Sequence, residues 1–198
     1  MTTTGNKADF SYASAMLQNQ DQGYNLSNSG VILRDSVFEY VLSLFNEKPI
    51  KIFQVGAIET FDSLFRIGSG WSDVIFGKYI RKFGGKIDIA DVNLDHLAHS
   101  ALSSSCLGYP INIYLGDAIN HICEGYDIYY LDGADGDVGD RQTFQQFKKI
   151  EHTKSVVLVD DIPSKAISLT SYLQKKNISF ETYNAGNGMI VVDMRHKK

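Results

Sequence analysis

Three aspartates, Asp132, Asp160 and Asp161, each follow a short apolar run, and two of them are adjacent. Carboxylates gathered in this way repel one another unless a cation offsets their charge. Oxygen-only donors suit Mg²⁺ or another hard divalent ion. Such an ion would grip a substrate hydroxyl, lower its pKa and orient the deprotonated oxygen. The competing reading is that Asp160 and Asp161 cap or precede the helix after Pro163, while Asp132 meets only water. Asp91 ends another apolar run, where an acid in nucleotide-binding α/β folds accepts hydrogen bonds from ribose hydroxyls. Its alternative role is a solvated loop carboxylate or a helix cap, but Asn93 already fits the cap. Asp117, in Gly116-Asp117-Ala118, has two compatible readings: accepting from an exocyclic amino group such as that of adenine, or capping a short helix.

Glycines supply the other half of the pattern. Gly56 follows the first apolar run, where a glycine permits a tight turn and a close ligand. A second group, Gly68-Ser69-Gly70-Trp71-Ser72, immediately precedes a helical segment, whose free N–H groups favour a carboxylate or a phosphate. The plain alternative is a surface loop with glycines for its turns. His96, His99, His121 and His152 show no metal-ligand spacing; His96 and His99, on a helical segment, are read as surface or packing residues, and His152 precedes the fifth strand, at the opposite end of the sheet. No serine nucleophile elbow, zinc motif or phosphate-binding loop with its lysine is present.

These residues need a scaffold that brings the ends of distant runs together. The runs Ile50–Val55, Lys86–Ala90, Ile111–Leu115, Tyr126–Leu131 and Ser155–Val159 read as strands. Helical segments separate them: Ser72–Phe83, Leu94–Ser104, a short one over Ala118–Cys123, Arg141–Ile150 and Ser164–Lys176. An earlier helix begins at Val31, with Val31, Leu33, Val37, Tyr40, Val41, Leu44 and Phe45 on one face, and stops before Pro49. Strand–helix alternation predicts a parallel sheet covered on both faces. Ile178–Tyr183 and Met189–Met194, joined by Asn184-Ala185-Gly186-Asn187-Gly188, read as a hairpin that reverses the last strand. The expected fold is therefore α/β and Rossmann-like, three layers around seven strands, six parallel and the last antiparallel. Ligands of such sheets bind outside the carboxyl ends of the strands, where the acids and glycines lie.

The chain has 198 residues, 43% hydrophobic and 21% charged, which fits one domain with a sizeable core. Residues 1–30 are too polar for a core of their own and read as an arm or lid, with residues 31–198 forming the domain. The net charge of −4 and the scattered lysines leave no basic footprint for nucleic acid. No apolar run approaches the roughly 20 residues needed to span a bilayer, and the N-terminus lacks the pattern of a signal peptide. The expected setting is the cytoplasm, with Cys106 and Cys123 as buried or partly buried free thiols. Self-association is left open.

In order along the chain, glycine after strand one, acid after strand two, Gly-Asp after strand three and Leu-Asp-Gly after strand four resemble the class I S-adenosylmethionine-dependent methyltransferases. Tyr129-Tyr130-Leu131-Asp132-Gly133 and Val157-Leu158-Val159-Asp160-Asp161 are most similar to the metal-dependent O-methyltransferases of the catechol and macrolide-sugar type. The resemblance implies that Gly56 and Gly68, Ser69, Gly70, Trp71 and Ser72 hold the methionine moiety of S-adenosylmethionine. By the same resemblance Asp91 binds its ribose, Asp117 and Ala118 meet its adenine, and Asp132, Asp160 and Asp161 hold Mg²⁺. The chain departs from that family twice. Residues 57–67 interrupt the usual compact glycine turn, and the position of the catechol-type lysine base is Asp135, which with Asp137 becomes the candidate base or extra ligand. The expected activity is metal-assisted O-methylation of a small hydroxylated acceptor, a sugar or natural-product intermediate. The arm and the segment around Phe61–Arg66 would cover that acceptor, with Tyr24 and Trp71 as contact surface. A metal-free methyltransferase and a non-catalytic binding module of the same fold are the competing readings.

Overall fold

A computed structural model describes residues 29–60, 71–184 and 187–196, with side chains of the first helix described from Arg34 onward. Its strands are β1 (Ile50–Val55), β2 (Gly85–Asp91), β3 (Ile111–Leu115), β4 (Ile128–Leu131), β5 (Val156–Asp160), β6 (Glu181–Tyr183) and β7 (Met189–Asp193). They form one sheet in the order β3-β2-β1-β4-β5-β7-β6, and β7 alone runs antiparallel to its neighbours. The helices are α1 (Ser29–Ser43), α2 (Ser72–Phe83), α3 (Leu94–Leu107), α4 (Gly136–Ile150), α5 (Ile162–Lys165) and α6 (Ile167–Lys175).

Side chains alternate across a strand, so each central strand feeds two cores. Ile52, Ile87, Ile89, Tyr130 and Leu158 pack with Phe38, Phe76 and Leu97 from α1, α2 and α3. Phe53, Tyr129, Leu131, Val157 and Val159 pack with Phe147 of α4 and with Leu169 and Leu173 of α6. This is the expected three-layer arrangement, with the hairpin reversal at β7.

Several boundaries differ, each for a local reason. The buried face of α1 runs through Arg34, Val37, Phe38, Val41 and Leu42, while Tyr40 is turned outward. The segment Ala118–Cys123 is a single 3₁₀ turn, Ala118–Asn120, and Cys123 is exposed. Helix α4 begins at Gly136, ahead of the expected Arg141. Gly139 makes that early turn feasible, because any Cβ there would collide with the Ala134 carbonyl. The helix expected over Ser164–Lys176 is two helices, broken at Ala166, whose φ of −134° is not helical. That break has a consequence for the site, because it leaves Lys165 at the end of α5 with only 2% of its surface exposed.

Candidate functional site

Chain order along the sheet reverses between β1 and β4, and the crevice outside their carboxyl ends is where an open α/β sheet binds its ligand. A cavity of about 430 Å³ opens there, within the usual range of small-ligand sites. Gly56 forms its floor at the end of β1, with φ at +88°, and a Cβ on it would strike the Asp132 carbonyl at the end of β4. The glycine is thus demanded by two strand ends converging as well as by any ligand.

Asp91 ends β2 and lines the cavity. Its Oδ2 accepts from the Ala57 N–H at 2.8 Å and its Oδ1 from the Asn93 N–H at 2.8 Å. Asn93, as expected, caps α3 by accepting from the Asp95 N–H. Asp91 is therefore fixed in orientation by backbone donors on either side. His96, read from sequence as a surface or packing residue, also lines the cavity, with Nδ1 3.4 Å from Asp91 Oδ2. Its place one turn into α3 was the available signal. At the end of β3, Asp117 Oδ1 accepts from the Ile119 N–H at 3.0 Å, so the capping reading holds, and Asp117 and Ala118 also line the cavity.

The expected glycine-rich loop gives a mixed result. Gly68, Ser69 and Gly70 lie outside the described residues, as do Tyr24 and Phe61–Arg66. Trp71 was expected to touch ligand or acceptor, but it is buried with Ile58 and Val74 and donates its indole N–H to the Thr60 carbonyl. Its bulk serves a small core. Ser72, also expected to hold the methionine moiety, opens α2 buried and away from the residues that line the cavity, and its hydroxyl has no partner among the described residues.

The acidic group is the largest departure. Asp132, Asp160 and Asp161 do converge, but two buried cations already sit among them. Lys165 Nζ lies 2.5 Å from Asp132 Oδ1, 2.9 Å from Asp161 Oδ2 and 3.5 Å from Asp135 Oδ1. Arg34 Nη2, reaching in from α1, pairs directly with Asp160 Oδ2 and lies 3.6 Å from Asp132 Oδ2. Tyr130 Oη stands between these groups, 2.8 Å from Asp160 Oδ2, 3.0 Å from Asp132 Oδ2 and 2.7 Å from Arg34 Nη2.

Electrostatics agree with this arrangement. Burial disfavours a charged Arg34, but Tyr130, Asp160 and Asp132 outweigh it and hold the guanidinium above its ordinary pKa. Burial likewise opposes the Lys165 ammonium, and Asp132 and Asp161 reverse the shift, so it stays protonated. Burial pushes Asp160 up to about 6, with the Arg34 guanidinium opposing. Asp161 is drawn below the usual carboxylate range because Lys165 more than offsets its burial. Its backbone is left-handed, φ +54°, a conformation that aspartate tolerates better than most residues.

The Mg²⁺ expected at these aspartates does not fit that donor set. Each of the three carboxylates already faces an ammonium or guanidinium, and among the described residues no group of acidic, histidine or cysteine side chains is arranged to hold a metal. Sequence reasoning missed Arg34 and Lys165. Lys165 carried one signal, its i,i+4 spacing from Asp161, whereas Arg34 carried none. Asp135, the candidate base, precedes α4 with its side chain 76% exposed at the cavity mouth.

No protein-family model matches the chain, and no curated protein sequence matches it. Solved structures do. The SAH-bound methyltransferase of Podospora anserina superposes with a TM-score of 0.61 at 12% identity, covering 98% of each chain. A methyltransferase from Geobacter sulfurreducens gives 0.57 at 14% identity over 96% of this chain and 90% of its own. The O-methyltransferase of Bacillus cereus in complex with SAH gives 0.54 at 9% identity, covering 96% and 92%. The chain has the fold of the class I methyltransferases.

Proposed function

We propose that this chain is an S-adenosylmethionine-dependent methyltransferase acting on a hydroxyl of a small acceptor. The observation that carries the reading is Asp91, held at the end of β2 by the Ala57 and Asn93 amides and facing the cavity at the β1/β4 switch point. Solved structures of the same fold described as SAH-bound support it.

Bound S-adenosylmethionine supplies a methyl group activated by the adjoining sulfonium. The rest of the work falls to the chain's own residues. Asp91 accepts from ribose hydroxyls, and the Asp117-Ala118 turn borders the base. Gly56, at the end of β1, borders the part of the cavity that would take the methionine portion. Asp132 and Asp135 lie at the acceptor end of the cavity. Of these, Asp135 is the candidate proton acceptor, since its carboxylate is open to solvent and 3.5 Å from Lys165 Nζ, while Asp132 is held against it at 2.5 Å. Orientation of the acceptor oxygen toward the methyl group supplies most of the acceleration in a displacement of this kind. Mg²⁺ has no part in this reading, because each of the acids already faces Arg34 or Lys165.

Calorimetric titration with S-adenosylmethionine and S-adenosylhomocysteine tests the proposal. Saturable binding of both, one per chain, is expected, and the absence of binding by either would overturn it.

A further inference from the structure

We infer that Arg34 and Lys165 are a built-in replacement for a divalent cation: their fixed positive charges hold the Asp132, Asp160 and Asp161 carboxylates in place, so the site is assembled without metal. This deepens the proposed methyltransferase reading and rests on it for its catalytic meaning, although its electrostatic content stands independently.

The argument begins with charge. Three carboxylates bring −3 to the ends of β4 and β5, and the guanidinium and ammonium return +2. The two cations divide the task. Lys165 bridges Asp132 and Asp161 through one nitrogen, and Arg34 bridges Asp160 and Asp132 from the other side. Tyr130 has a single proton to donate and can accept from Arg34, so it links the two halves into one network. A hard divalent ion would need several of the same oxygens at about 2.0–2.6 Å. It could take them only by expelling a buried cation, and Lys165 and Arg34 are 2% and 8% exposed.

The fold commits resources to keeping those cations there. Burial of an ammonium is tolerated only where it is paired and hydrogen-bonded, and Lys165 is delivered by a separate four-residue helix whose break at Ala166 fixes its direction. Arg34 comes from a different layer, through the sheet face that Phe38 also covers, with its guanidinium 5.8 Å from the Phe38 ring centre. Two unrelated elements thus place one cation each into the same acidic group.

The test uses the full chain and reads metal directly. Mn²⁺ titrated into the wild-type protein and followed by electron paramagnetic resonance should show no tight stoichiometric site, and the melting temperature should be the same in EDTA and in Mg²⁺. One tightly bound Mn²⁺ per wild-type chain would overturn the inference. In the Lys165→Met variant, which keeps the bulk and removes the charge, the melting temperature in EDTA should fall and Mn²⁺ or Ca²⁺ should restore part of it. A folded Lys165→Met chain indifferent to both ions would also overturn the claim that the ammonium fills a cation's place. Should that variant not fold, the wild-type Mn²⁺ titration still decides. Failure of S-adenosylhomocysteine to bind would sink the proposed function while leaving these metal readouts intact, so the two failures are distinguishable.

Discussion

Asp91 contributes to the site in two ways, and its substitution should reveal both. Its carboxylate fixes the turn after β1 through the Ala57 amide and faces the cavity where a ribose would lie. Replacing it by alanine removes charge-assisted hydrogen bonds, so affinity for S-adenosylhomocysteine should drop by about 10- to 100-fold, as read by calorimetry, with the melting temperature lowered modestly. Tyr130→Phe should cost about 1–3 kcal/mol by chemical denaturation, since Asp132 and Asp160 both lose their hydroxyl neighbour. Asp73 offers a pH test away from the cavity. It is fully buried in the first turn of α2, and loss of water pushes its carboxyl up to about 7, with Ser100 and backbone donors opposing. A folded pKa above the unfolded one means that its contribution is present below about 4 and is lost as pH rises through 7. The melting temperature of Asp73→Asn should therefore gain on that of the wild type as pH increases from 5 to about 8; a constant gap would contradict the assignment. Residues such as Asp91 and Asp117 were legible in the sequence because an acid after an apolar run marks a strand end. Arg34 was not, since pairing with acids on other elements leaves no trace in local spacing, and Lys165 showed only its i,i+4 spacing from Asp161 and nothing of its pairing with Asp132.

At the scale of elements, what matters is how tightly the strand ends converge. Gly56 is the clearest case: its φ of +88° disfavours any side chain, and the Asp132 carbonyl occupies the space where a Cβ would go. Gly56→Ala should destabilise the chain by about 2 kcal/mol or more, combining left-handed strain with a backbone clash, measured as a shift of the urea midpoint. The strands were readable because apolar runs of five or six residues bounded by glycine or aspartate have few other interpretations. Helix ends were less so. The pattern over Ser164–Lys176 is amphipathic throughout, and nothing in it marks the break at Ala166 that turns Lys165 inward. The early start of α4 depends on contact between Gly139 and the Ala134 carbonyl, a tertiary circumstance that local propensity does not encode.

Across the whole molecule, the sheet order β3-β2-β1-β4-β5-β7-β6 puts five strand ends around one cavity and divides their acids between two tasks. Asp91 and Asp117 border the half toward β2 and β3. Asp132, Asp160 and Asp161 border the half toward β5, where the chain supplies its own counter-charges. Sequence periodicity was sufficient to predict the layers and the reversed β7, because both faces of the sheet are apolar and the final hairpin is short. It was insufficient to separate a metal site from one paired with internal cations, since both begin from the same three aspartates. The central claim is that the cavity at the β1/β4 switch point receives a nucleoside-type methyl donor. A crystal structure of the chain with S-adenosylhomocysteine tests it most directly. The account predicts the ribose hydroxyls on Asp91, the base beside Asp117 and Ala118, and the Arg34 and Lys165 pairs intact; ligand bound away from Asp91, or a crevice that excludes it, would contradict the account.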